Sequence, residues 1–206
     1  MLIAEYFVLL ALDPVSGRIA LAHRDTRVDI VCAAGLLLEL FVQQRLVISA
    51  PGGLQVDASL PSSHALLNAA ATALAAHPGA NAATSLRQVA RRLAPLADEL
   101  LEGLYRRDFL HRVRDWRVWR SDALRYPLRS LQARNDASIV LQQACDGIGG
   151  AAGLGLLVLA DVAGVMTTHL DARQHERANR RLLGLNGMAF DEELGGVALI
   201  RDALLA

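Results

Sequence analysis

The chain has 206 residues, of which 53% are hydrophobic and 20% are charged, and its 21 arginines balance 21 acidic residues to give a formal net charge of zero. A hydrophobic chain of this length can bury one sizeable core, so we expect a single domain over residues 1–206. Zero net charge argues against a general polyanion binder, and aromatic residues at only 4% leave Leu, Ala and Val to fill the core.

Two apolar stretches are too short or too interrupted to be membrane spans or targeting segments. Glu5 interrupts residues 1–12, which also lack a basic region and a cleavage site. Gly147 to Ala160 is uncharged for 14 residues, below the roughly 20 that a bilayer span needs. We therefore expect a cytoplasmic protein with no transmembrane span, whose membrane contact is peripheral and on the inner membrane face.

Residues 25–56 are the best-specified segment and predict a helix followed directly by a β-hairpin. Thr26 and Asp29 resemble a capping box, which predicts the start of the helix. Pro51-Gly-Gly is a turn between two runs of strand-forming residues, so the hairpin is expected at Leu46–Val56. The helical stripe consists of apolar or small residues with i, i+3, i+4, i+7 spacing, namely Ile30, Ala33, Ala34, Leu37, Leu40 and Phe41.

The remaining segments are mostly helical in pattern. Residues 147–166 are hydrophobic almost all round, which is typical of a helix at the centre of a bundle. A short strand is predicted at 18–22 and a second hairpin at Phe109–Trp119. The sequence thus predicts a mainly α fold, a helical bundle around a buried apolar helix with small β-hairpins. Further helices are predicted at Ile3–Leu12, Ser62–Ala76, from Thr84 or Ser85, Pro95–Arg107, from Asn135 or Asp136 to Cys145, Asp171–Leu185 and Asp191–Leu205.

The sequence carries no catalytic or metal-binding pattern. Gly147-Ile-Gly149-Gly-Ala-Ala152 imitates a dinucleotide-binding fingerprint, but a predicted helix precedes it where the phosphate cradle requires a strand. Ser62-Ser63-His64 lacks a nucleophile elbow and an oxyanion loop. Cys32 and Cys145 have neither CxxC nor zinc-like His spacing, which predicts two reduced thiols. We therefore expect no enzyme activity, no cofactor and no metal.

The arginines concentrate in residues 105–134, which hold nine Arg and three acidic residues. We identify Arg114 and Arg117 as candidate anion-binding residues, and Trp116 and Trp119 as candidate membrane-interface residues on the second hairpin. An ordinary hairpin with solvated arginines and two packed Trp side chains is the alternative. Guanidinium groups bind phosphate oxygens and stack on aromatic faces, and in this segment they alternate with Tyr105, Phe109, Trp116, Trp119 and Tyr126.

Several motifs follow one another in a specific order near the N-terminus, namely Ala4-Glu-Tyr-Phe-Val-Leu-Leu-Ala-Leu-Asp, a Gly17 turn, Thr26-Arg-Val-Asp, Gly35-Leu-Leu-Leu-Glu-Leu and Arg45-Leu. Their order and spacing resemble the Golgi phosphoprotein 3 family. The similarity covers nearly the whole chain, since it continues at Leu104–Leu110, Arg125-Tyr-Pro-Leu, Leu157–Gly164 and Asn179-Arg-Arg-Leu-Leu. The resemblance implies a cytosol-facing, mostly helical domain that binds phosphatidylinositol 4-phosphate, sits peripherally on membranes and has no catalytic activity.

The resemblance also implies where a lipid headgroup would bind. Eukaryotic members of the family use a Trp and an Arg near the second helix and two Arg one turn apart in a later helix. Those four positions carry different residues in this chain, namely Arg24, Ala33, Ala94 and Ala97. The candidate replacements are Arg24 and Arg27 before the first long helix, and Arg91 and Arg92 before Pro95.

Two other functions fit the sequence. A helix followed by a hairpin also ends a winged-helix nucleic-acid-binding protein, although the Arg-free face of residues 30–41 argues against a recognition helix there. A partner-binding scaffold with no lipid activity is the second alternative. The lipid hypothesis predicts anionic phospholipid headgroups as partners, allows a protein partner, and disfavours nucleic acid.

Overall fold

A computed structural model of the protein describes residues 1–21, 27–49, 52–57, 62–114, 124–186 and 194–206. These residues form ten helices and two antiparallel strand pairs, which confirms the predicted mainly α fold with small hairpins. In chain order the elements are α1 Ile3–Ala11, α2 Val28–Val42, β1 Leu46–Ser49, β2 Gly53–Val56, α3 Ala65–Ala75, α4 Ala82–Arg92, α5 Leu96–Arg106, β3 Val113–Arg114, β4 Leu124–Arg125, α6 Leu131–Cys145, α7 Gly150–Val162, α8 Met166–His169, α9 Ala172–Gly184 and α10 Gly195–Leu205.

The apolar helix α7 lies in the middle of the core, as predicted. It packs against α1, α2, α6 and α10, and its residues 153–160 are all buried. Leu157 and Leu159 are both fully shielded from solvent. A helix that is apolar all round is stable in water only when neighbours cover every side.

No single helix in the described ranges is long and apolar enough to cross a membrane; α6 and α7 meet the length and composition requirement only as a pair, bent by 106°.

Helix α2 shares the centre of the core with α7. Its buried residues are 31–38 and Leu40, and it packs against six other helices. A Cβ on Gly35 would lie 2.8 Å from the Cα of Ala4, so the glycine lets α1 and α2 approach closely. A helix buried on this scale cannot enter a DNA groove. The hypothesis that α2 is the recognition helix of a winged-helix protein is therefore wrong.

The predicted capping box of α2 is also wrong. Arg27 is the N-cap residue of α2, and its side chain makes no capping hydrogen bond. The Oδ1 atom of Asp29 accepts a hydrogen bond from the backbone nitrogen of Ala97 instead. Thr26 lies outside the described residues. A local pattern of two polar residues cannot reveal that one of them binds a backbone group far along the chain.

Helix α3 begins later than predicted. Its N-cap residue is His64 rather than Ser62. The side chain of Asn68 hydrogen-bonds both the backbone nitrogen and the backbone oxygen of Ser62, at 2.8 and 2.7 Å. These two bonds hold Ser62 in the loop before the helix, so its hydroxyl accepts from the His64 nitrogen as part of a turn.

Helices α4 and α6 begin earlier than predicted. Asn81 caps α4 by accepting from the backbone nitrogen of Thr84, so Thr84 lies inside the first turn. Ser130 caps α6, and the predicted caps Asn135 and Asp136 are therefore in the body of that helix. The sequence offers several capping residues in each region, and each helix extends to the first one that the preceding loop permits.

Two other helix starts agree with prediction. Asp171 and Gln174 form a reciprocal capping box, with hydrogen bonds of 2.8 and 3.0 Å between each side chain and the other residue's backbone nitrogen. Pro95 is the N-cap residue of α5, which ends at Arg106. Helix α10 matches the described part of the predicted segment 191–205.

The first hairpin is confirmed and the second is misplaced. Strand β1 pairs with β2 with Leu46 opposite Val56, as predicted. Strand β3 falls inside the predicted second hairpin, but its partner β4 begins at Leu124, beyond the predicted end at Trp119. The strand predicted at 18–22 is reduced, in its described part, to one bridge between Ile19 and Leu12. Short strands are defined by their pairing partner, which alternation of side chains does not specify.

Candidate functional site

The starts of α2 and α5 meet at one end of the bundle. The Oδ1 atom of Asp29, in the first turn of α2, accepts a 2.8 Å hydrogen bond from the nitrogen of Ala97, in the first turn of α5. The first amides of a helix lack partners within it, and Pro95 has no side-chain group to cap them. The contact therefore places Arg27, just before α2, and the end of α4, just before α5, at the same end of the bundle. We call this the α2/α5 end.

Three of the predicted anion-binding residues belong to the α2/α5 end. Arg27, Arg91 and Arg92 are all exposed to solvent. Across the described part of the chain, none of the three forms a salt bridge with a carboxylate. Arg91 and Arg92 occupy the last turn of α4, where the helix dipole favours cations. Their guanidinium groups are therefore available to an anionic ligand.

Carboxylates lie at the same end as the arginines, in the first turns of α2 and α5. Burial raises the pKa of Asp98, and the neighbouring carboxylates of Asp29 and Glu99 raise it further. Ala33 and Ala97 stand where the resemblance places two headgroup-binding arginines, and both are buried and uncharged. An anionic ligand at this end would be attracted by the arginines and repelled by these carboxylates.

Arg114 lies elsewhere. It is an exposed residue of β3, which follows the C-terminal end of α5. Arg91 and Arg92 belong to the last turn of α4, so the predicted arginines of the described residues come from separate elements of the fold. The other four predicted site residues, which lie outside the described residues, are Arg24, Trp116, Arg117 and Trp119.

Much of the basic segment 105–134 is engaged in contacts within the protein. The Arg112 guanidinium lies 4.9 Å from the centre of the Tyr105 ring and 3.1 Å from Glu102. Arg129 pairs with Asp108. Arg112 and Arg129 are therefore engaged within the protein, and Arg114 is the exposed candidate among the described residues of the segment.

Glu102 also shapes the acid–base behaviour of its neighbour Tyr126. Burial raises the pKa of the Tyr126 hydroxyl, and the Glu102 carboxylate, 3.3 Å from that hydroxyl, raises it further. The tyrosine therefore stays neutral, and its hydroxyl donates a hydrogen bond to the Glu102 carboxylate. This hydrogen bond links α5 to the residue that follows β4.

Glu5 is a buried carboxylate in the first turn of α1. In the sequence it is notable only as an interruption of an apolar segment. Glu5 is 2% exposed, and its Oε1 atom lies 2.5 Å from Nη2 of Arg107 and 3.6 Å from Nε2 of His64. Its Oε2 atom accepts from the backbone nitrogen of Leu2. The signal was a single acid inside an apolar segment, which predicts a paired carboxylate.

His169 makes two hydrogen bonds within the protein. His169 Nε2 donates to the Leu10 carbonyl at 2.9 Å, and its Nδ1 lies 2.8 Å from the Ser138 hydroxyl. Burial lowers the pKa of His169, and the nearby charge of Arg134 lowers it further. In the part of the chain that the structure describes, no three His, Cys, Asp or Glu side chains are grouped closely enough to hold a metal ion.

The glycine-rich turn between α6 and α7 has a structural role. A helix precedes it, as predicted, so it lacks the strand that a dinucleotide cradle requires. Gly147 has a φ of +87°, and a Cβ there would lie 2.7 Å from Nη1 of Arg181. Glycine is therefore needed for the backbone conformation of the turn, whereas the guanidinium end of Arg181 can shift away from a larger residue.

The sequence that forms these helices and hairpins can be compared with known protein families. The family model of Golgi phosphoprotein 3 (GPP34) matches residues 3–202. No curated protein matches the chain in sequence. Because the matched range runs from the start of α1 into α10, the protein belongs to the Golgi phosphoprotein 3 family.

Proposed function

We propose that this protein is a non-catalytic peripheral membrane or adaptor protein that binds anionic lipid headgroups at the α2/α5 end. Family membership supports the proposal, and phosphatidylinositol 4-phosphate is the headgroup that the family implies. The observation that carries it is the hydrogen bond between Asp29 and Ala97, which brings Arg27 to the same end as Arg91 and Arg92. Arg24, three residues before Arg27 in the chain, is a further candidate for this site.

The chemistry of the arginines suits a phosphate group bound at the α2/α5 end. A guanidinium group is always charged and offers coplanar donors that match phosphate oxygens. Each basic residue near an anionic membrane contributes about 1 kcal/mol. Three exposed arginines therefore give binding that is reversible and weakened by salt.

The second hairpin supplies a separate surface that is partly apolar. Val113 and Leu124 are 46% and 41% exposed, and each is paired across the hairpin with an arginine, Arg125 or Arg114. Trp116, Arg117 and Trp119 follow β3 in the chain. We propose that the two Trp side chains enter the membrane interface, where indole is favoured, while Arg114 and Arg117 contact headgroups.

Vesicle flotation tests this function. We expect the protein to float with phosphatidylcholine vesicles that contain phosphatidylinositol 4-phosphate, and to remain unbound with phosphatidylcholine alone. Replacing Arg27, Arg91 and Arg92 by Gln should abolish most of the flotation. Arg87→Gln is the matched control, since Arg87 is another exposed arginine of α4, nearer its start.

The same experiment separates the competing functions. Equal flotation of the triple variant and the control variant would reject the α2/α5 end as the headgroup site. No flotation of the unmodified protein on any anionic vesicle would reject lipid binding and favour a partner-binding scaffold.

A further inference from the structure

Arg45 is a buried cation that lacks partners in the described structure. The residue is 5% exposed. Its Nε and Nη1 atoms are both shielded from solvent, and neither has a hydrogen-bond partner. A buried charge is strongly unfavourable unless its donors are satisfied, so unpaired guanidinium nitrogens in a protein interior require an explanation.

The backbone holds Arg45 firmly in this position. Its nitrogen donates to the Leu40 carbonyl at the end of α2, and its carbonyl accepts from the nitrogen of Asp57 just after β2. The preceding residue, Gln44, has a φ of +57°, which turns the chain sharply from the helix into β1. Arg45 therefore belongs to the rigid junction between α2 and the first hairpin.

Glu39 and the carboxylates that form salt bridges are engaged with groups other than Arg45. Glu39, the acid of α2 closest to Arg45 in the chain, accepts from the backbone nitrogen of Ile3 and from the side chain of Gln43. The ion-paired carboxylates have other arginines as partners: Glu5, Glu102, Asp108, Asp146 and Glu176. Among the described residues, no acid forms a salt bridge with Arg45.

A second positive feature lies at the same junction. Helix α10 packs against both α2 and β1. A Cβ on Gly196, in its first turn, would lie 2.4 Å from the ring of Phe41, in the last turn of α2. The N-terminal end of α10 thus approaches the end of α2 from which Arg45 follows. Helix N-termini carry partial positive charge and favour anions.

We propose that Arg45 is the centre of a binding site for a small oxyanion, inorganic phosphate or a phosphate monoester, at the junction of α2, the first hairpin and the start of α10. An oxyanion supplies several acceptor oxygens to the unpaired guanidinium donors and neutralises the buried charge. Because Arg45 is almost fully buried, its ligand must be a small, free anion. A headgroup still anchored in a flat bilayer does not reach it.

Thermal unfolding in phosphate tests the site directly. The melting temperature is measured in sodium phosphate and in sodium chloride of equal ionic strength. At phosphate a hundred times the dissociation constant, we expect a phosphate-specific rise on the order of 5 to 10 °C in the unmodified protein. Arg45→Met removes the charge but keeps a similar apolar volume, and it should lose this rise. Arg87→Met, on the exposed face of α4, should retain it.

Two outcomes overturn the proposal. One is the absence of a phosphate-specific rise in the unmodified protein, and the other is an equal rise in the Arg45→Met variant. If Arg45→Met does not fold, Arg45→Lys replaces it, and titration calorimetry with phosphate should show at least tenfold weaker binding. Phosphate affinity unchanged in Arg45→Lys counts against the site.

A vesicle arm distinguishes the two sources of phosphate. We expect Arg45→Met to float with phosphatidic acid vesicles as well as the unmodified protein does, because the bilayer does not reach Arg45. Flotation lost in Arg45→Met, with no response to free phosphate, would assign the residue to membrane binding and reject this site. The phosphate measurement needs no membrane, so its result is independent of the proposed lipid function.

Discussion

Asp29 caps a helix that lies far along the chain from its own, because its carboxylate accepts a 2.8 Å hydrogen bond from the nitrogen of Ala97, 68 residues later. Helix α5 begins at Pro95, which offers no capping side chain. A group from α2 therefore performs the function that a neighbouring Ser, Thr, Asp or Asn performs in most helices. The bond connects the stability of α5 to the position of α2.

Replacing Asp29 by alanine should destabilise the protein by about 1 kcal/mol, the usual effect of losing a helix cap. For a chain of this size, the melting temperature should fall by about 2 to 4 °C. Asp29→Asn retains an acceptor oxygen, so it should reduce the free energy of unfolding by less than Asp29→Ala does. Urea unfolding of both variants measures the difference, and equal losses would show that charge rather than the hydrogen bond matters.

The ion pair between Glu5 and Arg107 should couple the first helix to the end of α5. Removing Arg107 leaves a buried carboxylate without its cation, although the Arg107 side chain itself is 41% exposed. In a double-mutant cycle of Glu5→Gln and Arg107→Met, we expect a coupling free energy of about 1 to 3 kcal/mol. Arg106→Met is the matched control, since its side chain is 70% exposed and it should change stability by less than about 0.5 kcal/mol. A coupling near zero would mean that water replaces the pair.

Acid should destabilise the protein through His169. Burial holds the pKa of His169 below its value in the unfolded chain, about 6.5. Between those two pKa values the unfolded chain binds a proton that the folded protein does not. The contribution of neutral His169 is therefore fully present above about pH 6.5 and is lost as the pH falls through the folded pKa.

Urea unfolding at several pH values measures this effect. In His169→Gln the loss of stability on acidification should be smaller. His111→Gln, at an exposed position, should behave like the unmodified protein. Identical pH profiles for all three proteins would count against the assignment to His169.

The carboxylate of Asp98 should weaken binding of anionic vesicles. It lies at the α2/α5 end with a raised pKa, so it takes up a proton at higher pH than an ordinary aspartate. We expect flotation with anionic vesicles to increase as the pH falls through this pKa, and Asp98→Asn to increase it already at neutral pH. Asp202→Asn changes an exposed acid on α10 and serves as the control. Equal effects of the two variants would point to net charge alone.

Trp119→Ala should reduce vesicle binding while leaving the melting temperature nearly unchanged, if the indole enters the membrane interface. Flotation and thermal unfolding of the same variant test both parts. A large fall in the melting temperature would instead identify Trp119 as a core residue. In that case the second hairpin would be a structural element with solvated arginines.

Local patterns in the sequence determined the elements whose contacts are also local. The helix predicted from Asp171 starts with a capping box between Asp171 and Gln174, two residues only three apart. The pairing of β1 with β2 and the apolar run of α7 also agree with prediction. In each case a short segment contains all the groups that decide its conformation.

Tertiary structure decided the features whose partners lie far apart in the chain. Asp29 was predicted to cap its own helix, but its carboxylate accepts from an amide 68 residues away. Arg27 lies more than 60 residues before Arg91 and Arg92 in the chain, and the hydrogen bond between Asp29 and Ala97 brings the start of α2 to the start of α5, which follows them. Arg45 is an ordinary strand-flanking arginine in the sequence, and only the tertiary structure buries it. Burial and long-range hydrogen bonds depend on which surfaces meet, and no local pattern of residue types specifies that.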